Sequence, residues 1–207
     1  MNKILEKYKD VLYPEEIHTL LEINSTSILF FDMDGTLIDT DYANFSSYKK
    51  AIQEVTDLDY NSSYNIHKRF TRKTIKEIFP AISQTNFEKI IQQKNKIYKK
   101  YLFKTKLNNL FVEILQKYST TNITVLVTHS HKDRAVMILK YHRIFDKFTH
   151  KFYQQNEDKG RVNKFEYALK YLDIPVTSVI VFENEDMEIN KAITANIPMK
   201  NIIKKRI

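Results

Sequence analysis

Two carboxylates spaced by one residue follow a short apolar run near position 30. The run is Ile28–Phe31, and the chain continues as D-M-D-G-T. Alternate residues of an extended segment point the same way, so Asp32 and Asp34 are expected on one side of the chain. Two acids this close repel each other unless a cation or a shared proton lies between them. The spacing therefore predicts a metal site or a shared proton, and Gly35 permits the sharp turn that follows.

Two further predicted strands also end in polar side chains. The residues that follow them are Thr128, His129 and Ser130 in one case and Glu183, Asn184 and Asp186 in the other. In an open α/β sheet, ligands bind beyond the carboxyl ends of the strands, near the point where the strand order reverses. We therefore expect these groups to converge with the two aspartates at one edge of a sheet.

Short apolar strands alternate with amphipathic helices over most of the chain. Strands are expected at 28–31, 123–127, 148–153, 178–182 and about 201–203. Helices are expected between the later strands. This alternation predicts an α/β fold of the Rossmann-like kind, in which a parallel sheet is covered by helices on both faces.

One long segment, 41–106, interrupts the alternation. It carries three candidate helices in place of strands, at about 42–55, 63–79 and 85–103. We therefore expect an all-helical cap at 41–106, inserted into an α/β core of residues 1–40 and 107–207. Residues 1–26 are expected to form a helical extension of that core.

The composition excludes several classes of protein. The 207 residues contain no cysteine, which excludes a disulfide framework and a thiolate metal site. No apolar run approaches the ~18 residues of a membrane span, and the first residues lack the apolar region of a secretory signal. We therefore expect a cytoplasmic protein with no membrane partner. The sequence carries no signal of oligomeric state.

The net charge of +8 is compatible with a nucleic-acid partner. The basic residues are scattered, however, and no RNA-recognition or zinc-finger signature is present. A solvated basic surface is therefore the favoured interpretation of the charge.

Glycine is scarce, with two residues where an average share of ~7% would give about fourteen. A chain that so avoids glycine keeps it where the backbone geometry requires it. Gly35 follows the paired aspartates and Gly160 follows Lys159, which marks both places for special geometry.

The D-x-D-G-T segment, Thr128, a basic residue and the F-E-N-E-D segment resemble, in this order, the motifs of haloacid dehalogenase-like phosphatases with a C1-type helical cap. The resemblance covers the chain except for about the first 25 residues. It implies a phosphatase of small phosphorylated molecules in which Asp32 attacks phosphorus and forms an aspartyl-phosphate. Asp34 would protonate the leaving oxygen and then deprotonate the attacking water.

The resemblance also implies roles for residues outside this pair. Gly35 and Thr36 are candidate substrate contacts, Thr36 also as a hydrogen-bond partner of Asp34 or of the loop, and Thr128 would hold a phosphoryl oxygen. His129, which follows Thr128, is a candidate substrate contact as well, although the family mechanism needs no histidine. A lysine would neutralise Asp32 and the phosphate together. Lys159 is favoured for that role because a glycine follows it, and Lys164, in the first turn of the next helix, is the alternative. Ser130 is interpreted as a cap of the helix that follows it.

The implied cofactor is Mg²⁺, which takes oxygen ligands. Its protein ligands would be Asp32, the Asp34 carbonyl and the acidic residues after the later strand. Asn184 departs from the family, whose members carry an acid at this position. An amide oxygen binds without charge, so the affinity for Mg²⁺ should be lower, and Glu183 or Asp186 could take over the role.

The cap would close over the site and contact the leaving group. Arg69 and Arg72 are candidate substrate contacts there, although an exposed basic helix face is the favoured interpretation. Two alternatives stay open for the whole chain. One is a phosphomutase or a nucleic-acid end phosphatase, of which the basic charge motivates the latter. The other is a catalytically weakened binding module, which Asn184 motivates.

Overall fold

The computed structural model describes residues 7–8, 19–20, 22–56, 60, 63–65, 69–154, 156–157 and 160–204. The chain divides into two compact units. The core unit joins Met1–Ile38 to Leu107–Ile207, and the helical unit is the continuous segment Asp39–Lys106.

The strands of the described residues are β1 (Ile28–Phe31), β2 (Ile38–Asp39), β3 (Lys106–Leu107), β4 (Thr124–Val127), β5 (His150–Phe152), β6 (Asn156–Glu157), β7 (Gly160–Arg161), β8 (Val179–Glu183) and β9 (Ile202–Lys204). The α-helices are α1 (Asp41–Thr56), α2 (Arg72–Ile78), α3 (Gln84–Ile97), α4 (Asn109–Tyr118), α5 (Lys132–Tyr141), α6 (Lys164–Leu172) and α7 (Asp186–Thr194). Short 3₁₀ segments lie at Tyr98–Lys104, Phe145–Lys147, Val176–Ser178 and Met199–Asn201.

A five-stranded sheet in the order β5-β4-β1-β8-β9 forms the centre of the core unit. All of its strand pairs are parallel, and Leu29 of β1 pairs with Thr124 on one side and Ile180 on the other. The strand order reverses at β1, because β4 and β5 lie on one side of it and β8 and β9 lie on the other. The predicted parallel α/β fold is therefore confirmed.

The central strands are buried along their whole length, as expected of strands covered on both faces. Phe31 of β1 stacks on Phe182 of β8 with ring centroids 4.3 Å apart. The Phe111 ring of α4 meets Phe182 edge-on at 5.0 Å. Aromatic contacts of this kind each add about 0.5–1.5 kcal/mol beyond burial. They hold the two strands together at the end where the polar residues begin.

The helical unit has its own apolar core. Helix α1 places Phe45, Tyr48 and Ile52 on one face, at the spacing of an amphipathic helix. These side chains pack with Ile75 of α2 and with residues of α3. The unit is therefore the helical insertion that the sequence predicts.

Two of the predicted helices of this unit have different bounds in the structure. Helix α2 begins only at Arg72, because Thr71 caps it through a reciprocal contact with Thr74, whereas the sequence predicted 63–79. Residues 66–68 of that prediction lie outside the described residues. Helix α3 ends at Ile97 and continues as a 3₁₀ segment, whereas the sequence predicted 85–103.

The N-terminal helices predicted at 1–26 fall mostly outside the described residues. Among the residues that the structure does describe, no helix is both long and apolar enough to cross a membrane.

Candidate active site

Asp32 directly follows the last residue of β1, at the carboxyl edge of the sheet. The backbone N–H of Asp32 donates to the Phe182 carbonyl at 3.0 Å, which extends the pairing with β8. Gly35 then turns the chain with φ of +85°. Its N–H donates to the Ile38 carbonyl at 2.8 Å. Glycine adopts this backbone conformation without strain, as its scarcity elsewhere suggested.

A buried lysine neutralises Asp32. The Nζ atom of Lys164 lies 2.7 Å from Oδ1 of Asp32 and 2.7 Å from Oε2 of Glu183, and the lysine side chain is 6% exposed. Burial lowers the pKa of this ammonium, but the charges of Asp32 and Glu183 outweigh it and raise the pKa above its ordinary value. Lys164 is therefore a permanent cation beside the first aspartate.

Lys159 and Lys164 are the two candidates for the basic residue, and the contact between Lys164 and Asp32 bears on the choice between them. Lys159, the favoured candidate, lies outside the described residues. Lys164 opens α6 directly after Asn163, whose Oδ1 accepts the N–H of Phe165 at 3.0 Å. This cap fixes the start of the helix, so the first turn carries Lys164 to Asp32.

Glu183 is fully buried at the end of β8, and both of its oxygens are engaged. Oε2 accepts from Lys164, while Oε1 accepts the backbone N–H groups of Asn184 and Glu185 at 2.8 and 3.1 Å. Burial and the charge of Asp32 raise the pKa of Glu183 to about 7, and Lys164 opposes them. Glu183 thus orders the loop and holds the lysine in place.

Asn184 lies against the first loop. Its amide Oδ1 accepts a hydrogen bond from the Thr36 hydroxyl at 2.9 Å. A Cβ atom built on Gly35 would lie 2.7 Å from the Asn184 Nδ2 atom, so the missing side chain makes room for the amide. The Thr36 carbonyl in turn accepts from the Asn108 side chain at 3.0 Å.

The structure does not bring Asp186 into this cluster. Its carboxylate is 79% exposed and forms an ion pair with Lys204. Asp186 is the first residue of α7, and the helix start directs it to the surface. The interpretation of Asp186 as a substitute metal ligand is therefore corrected.

Asp34 is held by two side chains from the β4–α5 region. Arg134 donates from Nη2 to Oδ1 at 2.6 Å and from Nη1 to Oδ2 at 2.8 Å. The Ser130 hydroxyl donates to Oδ2 at 2.6 Å and also contacts Arg134. Helix α5 has His131 rather than Ser130 at its cap position, so the interpretation of Ser130 as the cap is wrong.

Thr128 is almost fully buried where β4 ends. Its backbone N–H donates to the Phe152 carbonyl at 3.0 Å. Its hydroxyl accepts the Ser130 N–H at 3.1 Å. These two bonds shape the loop that carries Ser130 to Asp34.

His129 contacts Glu188, a buried acid that the sequence did not mark as part of the site. Its Nε2 atom lies 3.1 Å from Glu188 Oε2, and Lys191 donates to Glu188 Oε1 at 2.7 Å. Lys164 lies 3.8 Å from the same carboxylate. Burial alone would raise the pKa of Glu188, but the bonds from His129 and Lys191 lower it to about 2. A substrate contact for His129 remains a prediction.

Arg134 was also missed from the sequence. The sequence does carry a signal for Arg134 and Glu188, because each lies in the first turn of a predicted helix that follows a central strand. Arg134 comes four residues after Ser130, and Glu188 four residues after Asn184. Such positions can reach back to the edge of the sheet.

The two arginines of the helical unit are placed as follows. The Nε atom of Arg69 lies 3.0 Å from the Asp41 carboxylate. Arg72 is exposed at the start of α2. Their contact with a substrate stays a prediction.

The donor set of the core unit fits a magnesium ion by chemical type. The Asp32 carboxylate, the Asp34 carbonyl and the Asn184 amide all supply oxygen, the donor that Mg²⁺ prefers. Only one of the three carries a charge. Both Glu183 oxygens are already engaged, and the described residues include no group of three or more His, Cys, Asp and Glu side chains arranged to hold a metal.

Comparison with known proteins gives one family. A family model described as haloacid dehalogenase-like hydrolase matches residues 29–202. Comparison with curated protein sequences gives no match.

Several solved structures share the fold. A haloacid dehalogenase-like family hydrolase from Streptococcus pneumoniae has a TM-score of 0.66 at 16% identity, covering 84% of this chain and 83% of its own. A predicted phosphoglycolate phosphatase from Haemophilus somnus has 0.66 at 16%, covering 84% of each chain. A predicted phosphatase from Clostridium acetobutylicum has 0.66 at 18%, covering 83% and 82%. At these identities the likeness concerns the fold alone.

Proposed function

Because the chain belongs to the haloacid dehalogenase-like hydrolase family, we propose that it is a Mg²⁺-dependent phosphatase of small phosphorylated molecules that works through an aspartyl-phosphate. The observation that carries the proposal is the Lys164 ammonium, 2.7 Å from both Asp32 and Glu183. A buried cation at this point offsets the repulsion between a carboxylate nucleophile and an anionic phosphate.

Asp32 is the proposed nucleophile. Lys164 engages Oδ1, and among the described residues no hydrogen bond reaches Oδ2. That oxygen attacks phosphorus, the bond from phosphorus to the leaving oxygen breaks, the leaving oxygen takes a proton from Asp34, and the phosphoryl group is carried by Asp32. In the second half of the reaction, Asp34 takes a proton from water, the water oxygen bonds to phosphorus, and the bond from phosphorus to Asp32 breaks to release phosphate.

Lys164, rather than Lys159, is the proposed basic residue. It is held in one position by Glu183, which is itself fixed by two backbone N–H groups. We place the binding site for the phosphoryl oxygens at the loop after β4. In this loop the Thr128 hydroxyl accepts a hydrogen bond from the Ser130 N–H. Contacts to a substrate from Gly35, Thr36, His129, Arg69 and Arg72 belong to the same proposal.

The residues that would hold Mg²⁺ are Asp32, the Asp34 carbonyl and Asn184. The ion, when bound, would neutralise charge on the phosphoryl oxygens. Because Asn184 is neutral, the protein part of this site carries less negative charge than a site with two carboxylates.

A purified sample incubated with p-nitrophenyl phosphate and millimolar Mg²⁺ tests the proposal. We expect release of nitrophenol, and we expect Asp32→Asn to reduce kcat by at least about 10³-fold because a nucleophile is removed. Asp186→Asn is the matched control, since that exposed aspartate lies at the surface. Absence of turnover in the wild-type protein, or turnover unchanged by Asp32→Asn, would overturn the proposal.

A further inference from the structure

Most of the net positive charge of the chain lies in the helical unit. This unit, Asp39–Lys106, contains 14 of the 33 lysines and arginines but seven of the 25 acidic residues, so it carries a net charge of +7 out of the total of +8. Its last part is the most basic, with seven lysines and no acidic residue from Lys89 to Lys106. The proposed phosphatase reaction makes no use of these lysines. Such an asymmetry between two parts of a chain is typical of proteins that bind a polyanion.

Helix α3 and the 3₁₀ segment that continues it present one basic side to solvent. The apolar side chains Phe87, Ile90 and Ile97 are buried in the core of the helical unit. The exposed residues follow one another at intervals of three or four, so their side chains are neighbours along the helix. We call this exposed side the basic face, and its members are Lys89, Gln92, Asn95, Lys96, Lys99, Lys100 and Phe103. At the rise per residue of the two kinds of helix, the basic face is about 24 Å long.

The positive charge of the basic face is not neutralised by ion pairs within the part of the chain that the structure describes. The ion pairs of the helical unit there join Lys50 to Glu54, Arg69 to Asp41 and Lys73 to Glu77, and none includes a lysine of the basic face.

Neighbouring like charges on a helix repel each other. A row of phosphates laid along the basic face would relieve this repulsion.

Two exposed aromatic rings lie beside a lysine at one end of the basic face. Phe103 is 69% exposed and Tyr42 is 41% exposed. The Nζ atom of Lys104 lies 5.9 Å from the centroid of the Phe103 ring and 4.3 Å from that of the Tyr42 ring. The same Nζ atom donates a hydrogen bond to the Ser46 hydroxyl at 2.9 Å. Exposed rings in a positively charged setting are the platforms on which proteins stack the bases of single strands.

An anionic membrane surface is the other polyanion that a basic helix can bind, and such helices insert a free apolar side among the lipids. The apolar side of α3 is already buried in the core of the helical unit, and Phe103 is the single apolar member of the basic face. The amides of Gln92 and Asn95 can instead form hydrogen bonds with phosphates, sugars and bases. These features favour a nucleic-acid strand over a membrane.

We propose that the basic face of the helical unit is a binding surface for single-stranded nucleic acid. Its lysines contact phosphates of the strand, and Phe103 stacks on a base. Because phosphates and the faces of all bases are recognised alike, binding depends strongly on salt and little on sequence. This second function is independent of the proposed phosphatase activity, which involves other residues.

The test measures the Kd of the full-length protein for a fluorescein-labelled DNA single strand of about 12 nucleotides by fluorescence anisotropy. The titration is repeated between about 50 and 200 mM NaCl. The test variant combines Lys96→Gln, Lys99→Gln and Lys100→Gln. The matched control removes the same charge from exposed positions of the core unit and combines Lys117→Gln, Lys140→Gln and Lys170→Gln.

We expect a Kd of about 10⁻⁵ M or tighter at low salt. The loss of three phosphate contacts in the test variant should weaken binding by about tenfold or more. It should also make the slope of log K against log salt shallower by about 2, because each contact with a single strand contributes about 0.7. The control variant should bind within about twofold of the wild-type protein.

Phe103→Ala separates stacking from charge. It should weaken binding of the intact strand by about fivefold or more, since stacking of one base contributes about 1 kcal/mol or more. A strand of the same length without bases should bind Phe103→Ala and wild type equally, because it has nothing to stack on the ring.

Three results would overturn the proposal. The first is that the wild-type protein binds no strand at low salt. The second is that the test and control variants lose affinity equally, which would make the binding a property of net charge alone. The third is that the protein binds vesicles containing phosphatidylserine through the same lysines and binds the strand more weakly, which would make the basic face a membrane-binding surface.

Phosphatase activity of any of these variants does not enter the comparison.

Discussion

The Thr36 hydroxyl donates a hydrogen bond to the Asn184 amide oxygen at 2.9 Å, across 148 positions of sequence. Thr36 is fully buried, so the bond is shielded from water. It joins the loop after β1 to the loop after β8 through a neutral oxygen. A carboxylate at the same place could accept the same bond and would add a charge to the proposed magnesium site.

Asn184→Asp is therefore expected to increase the affinity for Mg²⁺ by about tenfold or more, because the charge of the ligands sets the affinity of such sites. The bond from Thr36 should survive the substitution. Calorimetric titration of Mg²⁺ into the protein without substrate measures the change directly. Asn190→Asp adds the same charge at an exposed position of α7 and should leave the affinity within about twofold of the wild-type value. Equal affinities for wild type and Asn184→Asp would contradict the assignment of Asn184 as a ligand.

Gly35→Ala should destabilise the protein by about 1–3 kcal/mol for two separable reasons. The φ of +85° strains any side chain, and the new Cβ would lie 2.7 Å from Nδ2 of Asn184. In an Asn184→Ala background only the backbone strain remains, so the loss should fall to about 1 kcal/mol. Urea unfolding of the four proteins gives both figures, and an equal loss in the two backgrounds would show that the clash with Asn184 does not matter.

Removal of the Lys164 charge should lower the free energy of unfolding as well as the activity. Lys164→Met leaves Asp32 and Glu183 buried without their shared cation, a change that commonly costs about 3–5 kcal/mol. Chemical denaturation with and without the substitution measures this loss. Lys170→Met, at an exposed position of the same helix, should change the free energy of unfolding by no more than about 0.5 kcal/mol. A Lys164→Met protein as stable as its control would mean that the two carboxylates do not depend on the lysine.

Glu188 is expected to make stability depend on pH in the acid range. Its pKa falls from the ordinary value of 4.5 to about 2 in the folded protein. The folded state therefore binds fewer protons than the unfolded state, so the contribution is complete above about pH 5 and disappears as the pH falls from 4.5 towards 2. Its size is on the order of 3 kcal/mol, at about 1.4 kcal/mol for each pH unit between the two pKa values.

The measurement is urea unfolding of wild type and Glu188→Gln at several pH values. The difference between the two should be largest at pH 7 and should shrink towards pH 2. The exposed Glu166, replaced by Gln, is the control and should show little difference at any pH. A Glu188→Gln difference that stays constant from pH 7 to pH 2 would rule out the charge of Glu188 as its cause.

The central strands and the two aspartates could be predicted from the sequence because both signals are local. A run such as Ile28–Phe31 is apolar on both faces, and the acids follow it directly. The family resemblance likewise rests on short sequence motifs, and the family model matches residues 29–202. The order of β4, β1 and β8 was not predicted from the sequence, because the general rules for parallel sheets limit the possible orders without selecting one.

The side-chain partners could not be predicted in the same way. Arg134 and Glu188 reach the site because of the rotation and starting point of their helices, which the sequence fixes only through caps and packing. The Asn163 cap decides that Lys164 lies in the first turn of α6, beside Asp32. The late start of α2 depends on the contact between Thr71 and Thr74, a detail too short for a periodic pattern to reveal.

The connectivity of the sheet also governs when the charges of the site become neutralised during synthesis. Lys164 meets Asp32 across 132 positions and Arg134 meets Asp34 across 100, whereas the helical unit is one uninterrupted segment. Contacts between distant parts of a chain form late, because a long loop must close first. On the ribosome, the helical unit can therefore complete its fold while β1 still lacks both neighbours. Asp34 therefore lacks its guanidinium partner until the segment with Arg134 has emerged, and Asp32 lacks its cation until the later segment with Lys164 has emerged.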